Sequence, residues 1–174
     1  MDKTVTLIDQ ILEEHKLIVK RVQNLEQAAN DAEALLGLES AKEQFVPGRF
    51  DQGESLKNLK QWLETIDEGL QAHFDREETA LLTAFEKQGD KGPASELRSL
   101  LLEHEDLRDR IAHSRKHVAE LIGGGLSRQL WEARAHDMRA HISHTRKLLE
   151  AHAEMEQELL QRLRSELVRQ KKSD

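Results

Sequence analysis

Six side chains carry the chemistry open to this sequence: His15, His73, Glu77, His104, His152 and Glu156. Two of the histidines open the same pattern, a His followed four positions later by a Glu: His73-x-x-x-Glu77 and His152-x-x-x-Glu156. The other two stand in similar local wording, Glu14-His15-Lys16-Leu17 and Glu103-His104-Glu105-Asp106-Leu107. A neutral imidazole nitrogen suits iron, zinc or copper, and carboxylates can bridge two cations. Residues four apart on a helix share a face, so each His-x-x-x-Glu pair offers a nitrogen and a carboxylate in one direction. Four imidazoles and two bridging carboxylates, Glu77 and Glu156, leave each of two metals short of six ligands. Solvent, an oxo or hydroxo bridge, or a small ligand would complete the set. Such an open nitrogen-and-oxygen site suits redox-active iron better than structural zinc, which prefers a closed tetrahedron. The expected cofactor is therefore two non-haem iron ions. A metal-free core is the costlier reading. Several kcal/mol are lost for each buried charge without a partner, against a typical net stability of about 5–15 kcal/mol.

The elements that must position these residues read as four amphipathic helices. The first is expected from about Thr4 to Leu36, with Thr4 or Thr6 capping its start, Gly37 its end, and His15 within an apolar stripe at helical spacing. Residues 37–53, with Pro47-Gly48, form a long connection that covers one end of the molecule. The second helix is expected from Glu54 to Lys87, carrying His73 and Glu77, and Gly89-Asp90-Lys91-Gly92-Pro93 reads as a break and turn. A third starts at Pro93 or Ala94, carries His104 and ends at Gly123-Gly124-Gly125. The fourth runs from Ser127 to Val168 with His152 and Glu156, and the tail from Arg169 to Asp174 is expected to fray.

A count along these helices tests whether the six residues can meet. In an up-down-up-down antiparallel four-helix bundle, alternate connections lie at opposite ends. His15 lies 11 residues past Thr4, Glu77 10 before Lys87, His104 10 past Ala94 and Glu156 12 before Val168. At 1.5 Å per residue the spread in height is about 3 Å. The same geometry puts the 37–53 connection roughly 30 Å from the site, too far to act as a lid.

Composition agrees with an all-α class. Hydrophobic residues make up 37% and charged residues 34% of 174 residues, with only two prolines. Leu, Ala, Glu, Gln, Lys and Arg dominate, which favours helix over strand. The length fits one domain over residues 1–174. The net charge of −7, with both signs interspersed, argues against nucleic acid. Absence of cysteine excludes disulfides and thiolate ligands. No apolar run reaches the ~20 residues of a membrane span, and the first residues lack the apolar core of a signal peptide. A cytoplasmic protein is the expectation.

Positions three and four away from the six residues are mostly apolar, among them Ile11, Leu12, Leu70, Leu107, Leu149 and Met155. That predicts a dry pocket for a small apolar ligand. Carboxylates that would orient the imidazoles are not evident locally, so they must come from other helices or the backbone. Gly69, one turn before His73, marks either a path to the metals or a close helix approach. His141 is expected to be a hydrogen-bonded core histidine, level with Trp62, Glu26 and Arg115. His113 and His117 point away from the core-facing stripe and, with His136 and His144, are expected in solvent; adventitious zinc binding is the sharper alternative.

The phrases Glu14-His15-Lys16, His73-Phe74-Asp75-Arg76-Glu77-Glu78 and Glu103-His104-Glu105-Asp106-Leu107 resemble the helix signatures of the hemerythrin-like (HHE cation-binding) domain family, over nearly the whole chain. That resemblance implies a non-haem di-iron four-helix bundle that binds oxygen, or acts on nitric oxide, peroxide or cellular iron. The oxygen carriers of the family have five histidines, whereas position 108 here is Arg108. The order His, His-x3-Glu, His, His-x3-Glu looks more like the four-His, two-Glu branch, which includes iron-sensing domains and iron–sulfur repair proteins. The leading expectation is thus a di-iron protein binding oxygen or nitric oxide for sensing, scavenging or carriage. A di-iron oxidase, peroxidase or nitric oxide reductase, or iron storage and donation, are the alternatives. A redox partner and a homodimer are compatible with the sequence, which identifies neither.

Overall fold

In a computed structural model of the chain, residues 3–40, 50–88, 91–123 and 125–173 are described, with the backbone alone for 31–40 and 50–55. Every regular element among them is helical. Helix α1 spans Lys3–Ser40 and α2 spans Phe50–Arg76. A π turn, Glu77–Leu81, follows directly and leads into α3, Leu82–Lys87. Then come α4, Lys91–Leu101, α5, Glu103–Gly123, and α6, Arg128–Ser173. Helix α1 packs against α2 and α6, and α5 packs against the same two, which closes a ring of four rods. No described helix is long and apolar enough to cross a membrane.

Several boundaries differ from the sequence expectation. Helix α1 continues through Gly37 to Ser40. The helix-forming residues around it, Leu36, Leu38 and Glu39, offset the ~1 kcal/mol cost of one internal glycine. Thr4 and Thr6 lie inside its first turns. Helix α2 begins at Phe50 and takes in Gly53. Of the expected 37–53 connection, residues 41–49 fall outside the described ones, as do Gly89 and Asp90 of the second turn. The chain is helical again from Lys91, so Pro93 sits in the first turn of α4. The expected third helix is interrupted at Leu102, which is 80% exposed. The interruption is a single residue, and the Leu102 N–H still donates to the Arg98 carbonyl at 3.3 Å. Helix α6 continues past Val168 through the expected tail to Ser173, with Lys171 and Lys172 in its last turn, where cations suit the helix dipole.

The connection from α5 to α6 is short. Gly125 adopts a φ of 79°, in the left-handed region glycine tolerates. Ser127 then caps α6, its hydroxyl accepting from the Leu130 N–H at 3.3 Å. Buried Trp131 donates through Nε1 to the Leu121 carbonyl at 3.2 Å and ties the two helix ends together.

The core has two apolar halves. One joins Val22, Leu25, Leu63, Phe74, Leu107, Ile111, Trp131 and Leu149, among others. The other joins Val5, Ile8, Ile11, Leu81, Phe85, Leu97, Leu159 and Leu163 with their neighbours. Each rod passes from one half to the other through a buried polar position: His15 on α1, Glu77 after α2, His104 on α5, and His152 with Glu156 on α6. A polar layer therefore cuts across an otherwise apolar interior.

Candidate metal centre

All six residues picked from the sequence lie in that layer. His15, His73, His104 and His152 are at most 4% exposed, and Glu77 and Glu156 are fully buried. They fall into two compact groups able to hold a metal ion, one of Glu77, His104, His152 and Glu156, the other of His15, His73 and Glu77. Glu77 belongs to both. Its Oε1 lies 3.1 Å from His15 Nε2 and 2.6 Å from His73 Nε2, while its Oε2 lies 3.2 Å from His104 Nε2. Glu156 Oε2 stands 3.1 Å from His152 Nε2 and 3.9 Å from His15 Nε2.

Three of the imidazoles are oriented from outside the layer. His73 Nδ1 donates to Glu14 at 2.8 Å, His104 Nδ1 to Glu78 at 2.8 Å, and His152 Nδ1 to Glu103 at 2.9 Å. The carboxylates are themselves held. Arg76 contacts Glu14 at 2.9 Å, and Arg108 grips Glu78 at 2.8 and 3.2 Å while donating to Gln71 at 2.9 Å. Phe74 stacks on His104 with ring centres 3.8 Å apart, and the Arg108 guanidinium lies over the other ring partner, Phe74, at 5.2 Å.

These bonds fix the chemistry of the inner nitrogens. A neutral imidazole that donates through Nδ1 has only a lone pair at Nε2. The lone pairs of His73, His104 and His152 therefore point into the layer, at carboxylate oxygens that can only accept. His104 Nε2 and His152 Nε2 also face each other at 3.1 Å. Glu77 Oε2 and both oxygens of Glu156 are buried without a hydrogen-bond partner. Acceptors set against acceptors in a dry interior repel, and burial without partners is costly. Cations between them would satisfy the whole set, so the residues present fit a metal centre.

Ionisation follows the same crowding. Burial pushes Glu77 up, but the surrounding imidazoles of His104, His15 and His73 outweigh it and hold the carboxyl well below the usual range. Burial and the neighbouring Glu77 carboxylate instead push Glu156 up. For His73 and His152 burial lowers the pKa, but the surrounding carboxylates win and raise it.

Sequence reasoning assigned no role at the centre to Glu14, Glu78, Glu103, Arg76 or Arg108. A signal was there: each of the three glutamates is the chain neighbour of one of the six, in Glu14-His15, Glu77-Glu78 and Glu103-His104. A residue one step along a helix is turned by about 100°, away from the centre and toward the next rod. The expectation that the orienting groups come from other helices holds for all three. Met155, expected in the apolar lining, is 45% exposed, because its neighbour Glu156 takes the inward position. Gly69 does not mark a close helix approach, since an added Cβ would meet only the Arg21 side chain at 3.7 Å. His141 is half-buried and donates to the Arg110 carbonyl at 3.0 Å, as a hydrogen-bonded histidine should. Trp62, expected level with it, is 42% exposed.

A helical bundle with buried His and Glu groups arranged to hold cations defines a metal-binding helical protein. The family model of the hemerythrin HHE cation-binding domain matches residues 6–163, and the chain belongs to that family. No curated protein and no solved structure matches it.

Proposed function

We propose that this chain is a single-domain, non-haem di-iron protein that binds a small diatomic ligand, oxygen or nitric oxide, for sensing, scavenging or carriage. Membership of a cation-binding family supports the metal. The observation that carries the dinuclear reading is the contact of His104 Nε2 with His152 Nε2 at 3.1 Å, both rings donating outward through Nδ1. Two aligned lone pairs call for one cation, and the separate group of His15, His73 and Glu77 calls for a second. Glu77, shared by both groups, would supply a carboxylate to both ions, and Glu156, 3.1 Å from His152 and 3.9 Å from His15, would supply the second. The nitrogen-and-oxygen donor set suits iron. Bound iron would supply an electron-rich centre able to take up a diatomic ligand reversibly.

The chain's own residues do the rest. Glu14, Glu78 and Glu103 hold three imidazoles in the metal-binding tautomer. The two apolar halves of the core keep bulk water away. Meeting of the six residues at one level supports an up-down-up-down course for the four rods.

The test is elemental analysis and an optical spectrum of aerobically purified protein, beside His73→Ala and Glu156→Ala. Expected are about two irons per chain and a near-ultraviolet band, both lost in the variants. Reduced protein should then change spectrum reversibly with oxygen or with nitric oxide. Catalytic turnover with a reductant would instead assign an oxidase, peroxidase or nitric oxide reductase. Uptake of many irons per chain-equivalent would assign storage. Well-folded protein without metal would overturn the reading.

A further inference from the structure

Three histidines outside the central layer come together where α5 and α6 pack. His113 and His117 lie one turn apart on α5, and His141 faces them from α6. Ring centres are 6.3 Å apart for His113 and His117, 6.0 Å for His113 and His141, and 5.4 Å for His117 and His141. Three imidazoles around a tetrahedral zinc, at Zn–N of about 2.0–2.1 Å, set their ring centres roughly 5 Å apart. The ring centres are wider apart than that and the nitrogens do not converge as those of the central layer do, so the exposed His113 ring must swing inward to close the site.

Hydrogen bonds fix two of the tautomers. A carbonyl oxygen only accepts, so the nitrogen facing it carries the proton. His141 Nε2 donates to the Arg110 carbonyl at 3.0 Å, and His113 Nδ1 donates to the Asp109 carbonyl at 3.2 Å. The other nitrogen of each ring, Nδ1 of His141 and Nε2 of His113, is left with a lone pair. An outer N–H bonded to a backbone carbonyl is the usual second contact of a metal-bound imidazole. His117 Nδ1 is buried without a partner among the described residues. Burial, then the neighbouring His141 ring, lowers the pKa of His117, against the opposing pull of Glu120, which favours the neutral, metal-binding form.

We propose that His113, His117 and His141 form a second metal site, for a zinc-class divalent cation with water as its fourth ligand. It is separate from the central layer. His113 follows His104 by nine residues and His141 precedes His152 by eleven, about 14 and 17 Å along the helix axes. A cation there would clamp α5 to α6, the helices that carry His104 and His152.

The protein as purified, its resident metal measured first, is titrated with Zn²⁺ against a chromogenic indicator. Co²⁺ serves as a second probe, because its visible spectrum reports donor geometry. Expected is a single added zinc per chain, with the resident metal and its spectrum unchanged. Affinity should fall about tenfold or more in each of His113→Ala, His117→Ala and His141→Ala. His144→Ala, at an exposed position on α6, should bind as the parent does. His141→Gln keeps a donor for the Arg110 carbonyl but no imidazole, so it should also lose zinc while preserving the packing. Unchanged affinity in both His141 variants would reduce the site to a one-helix pair and overturn the proposal. So would equal loss in His144→Ala.

Discussion

Glu103 shows how a surface residue reaches the centre. Its side chain is 46% exposed, yet it holds His152 Nδ1 at 2.9 Å. Losing such a partner typically lowers metal affinity by about 10–100-fold. Glu103→Ala should therefore weaken iron binding by that order with helical circular dichroism intact, since nothing buried depends on the carboxylate for packing. Equal iron affinity in the variant and the parent would remove Glu103 from the centre. His15 differs from the other three: its Nδ1 is buried with no partner. No outer carboxylate sets its ring; the Glu77 contact at 3.1 Å and packing against His73, with ring centres 4.9 Å apart, do so. The two metal-holding groups are consequently unequal, one with both rings tethered and one with a single tethered ring.

At the scale of elements, the π turn at Glu77–Leu81 is the feature that most shapes the site. His73, Glu77, Leu81 and Phe85 are all buried and each is four residues from the last. Steps of four overshoot a 3.6-residue turn by 40°, so three steps drift about 120° in a pure α-helix. Widening one turn by a residue absorbs the drift and returns Phe85 to the core. On α6 the buried series passes from Glu156 to Leu159 by three, and no such turn forms. The helices and the six inward residues were legible in the sequence because apolar period and polar exceptions share one face. The π turn was written there too, as consecutive steps of four, but period reading treats four and three alike. The glutamates of the outer contacts were harder to see, since contacts between rods depend on rotation, not on spacing along one helix. The same is true of the meeting of His141 with His113 and His117. Gly69 offers a test of helix energetics: it is interior to α2, and a Cβ there meets nothing nearer than 3.7 Å. Gly69→Ala should stabilise the protein by about 0.5–1 kcal/mol, read as a small rise in Tm, and a fall would expose a packing role for the glycine.

Across the whole molecule, the polar layer divides the core, and the two apolar halves meet only through it. Ion pairs such as Asp9 with Arg164 at 2.6 Å and Asp67 with Arg115 at 2.7 Å join the rods at the surface, where solvent screening leaves such pairs little net weight. They cannot offset a layer of facing acceptors. A cation bound with free metal near a thousandfold above Kd adds about 4 kcal/mol, and each kcal/mol moves Tm by about 2–4 °C at this size. Chelation should thus lower Tm by roughly 8–16 °C, and metal re-addition should restore it. Matching melting curves with and without metal would show that the layer is satisfied some other way.

The outer contacts run in one sense around the ring, Glu14 to His73, Glu78 to His104, Glu103 to His152, and stop before His15. Inheritance should carry the mark of that circuit. A change at position 14 is felt 59 residues away, at 78 it is felt 26 away, and at 103 it is felt 49 away. While the histidines hold the metal, positions 14, 78 and 103 should therefore be kept as acceptors, and lost only where the paired histidine is lost too. Position 15, whose histidine is kept for the metal, has no outer acidic partner, so no acidic position outside the layer should be kept in step with it.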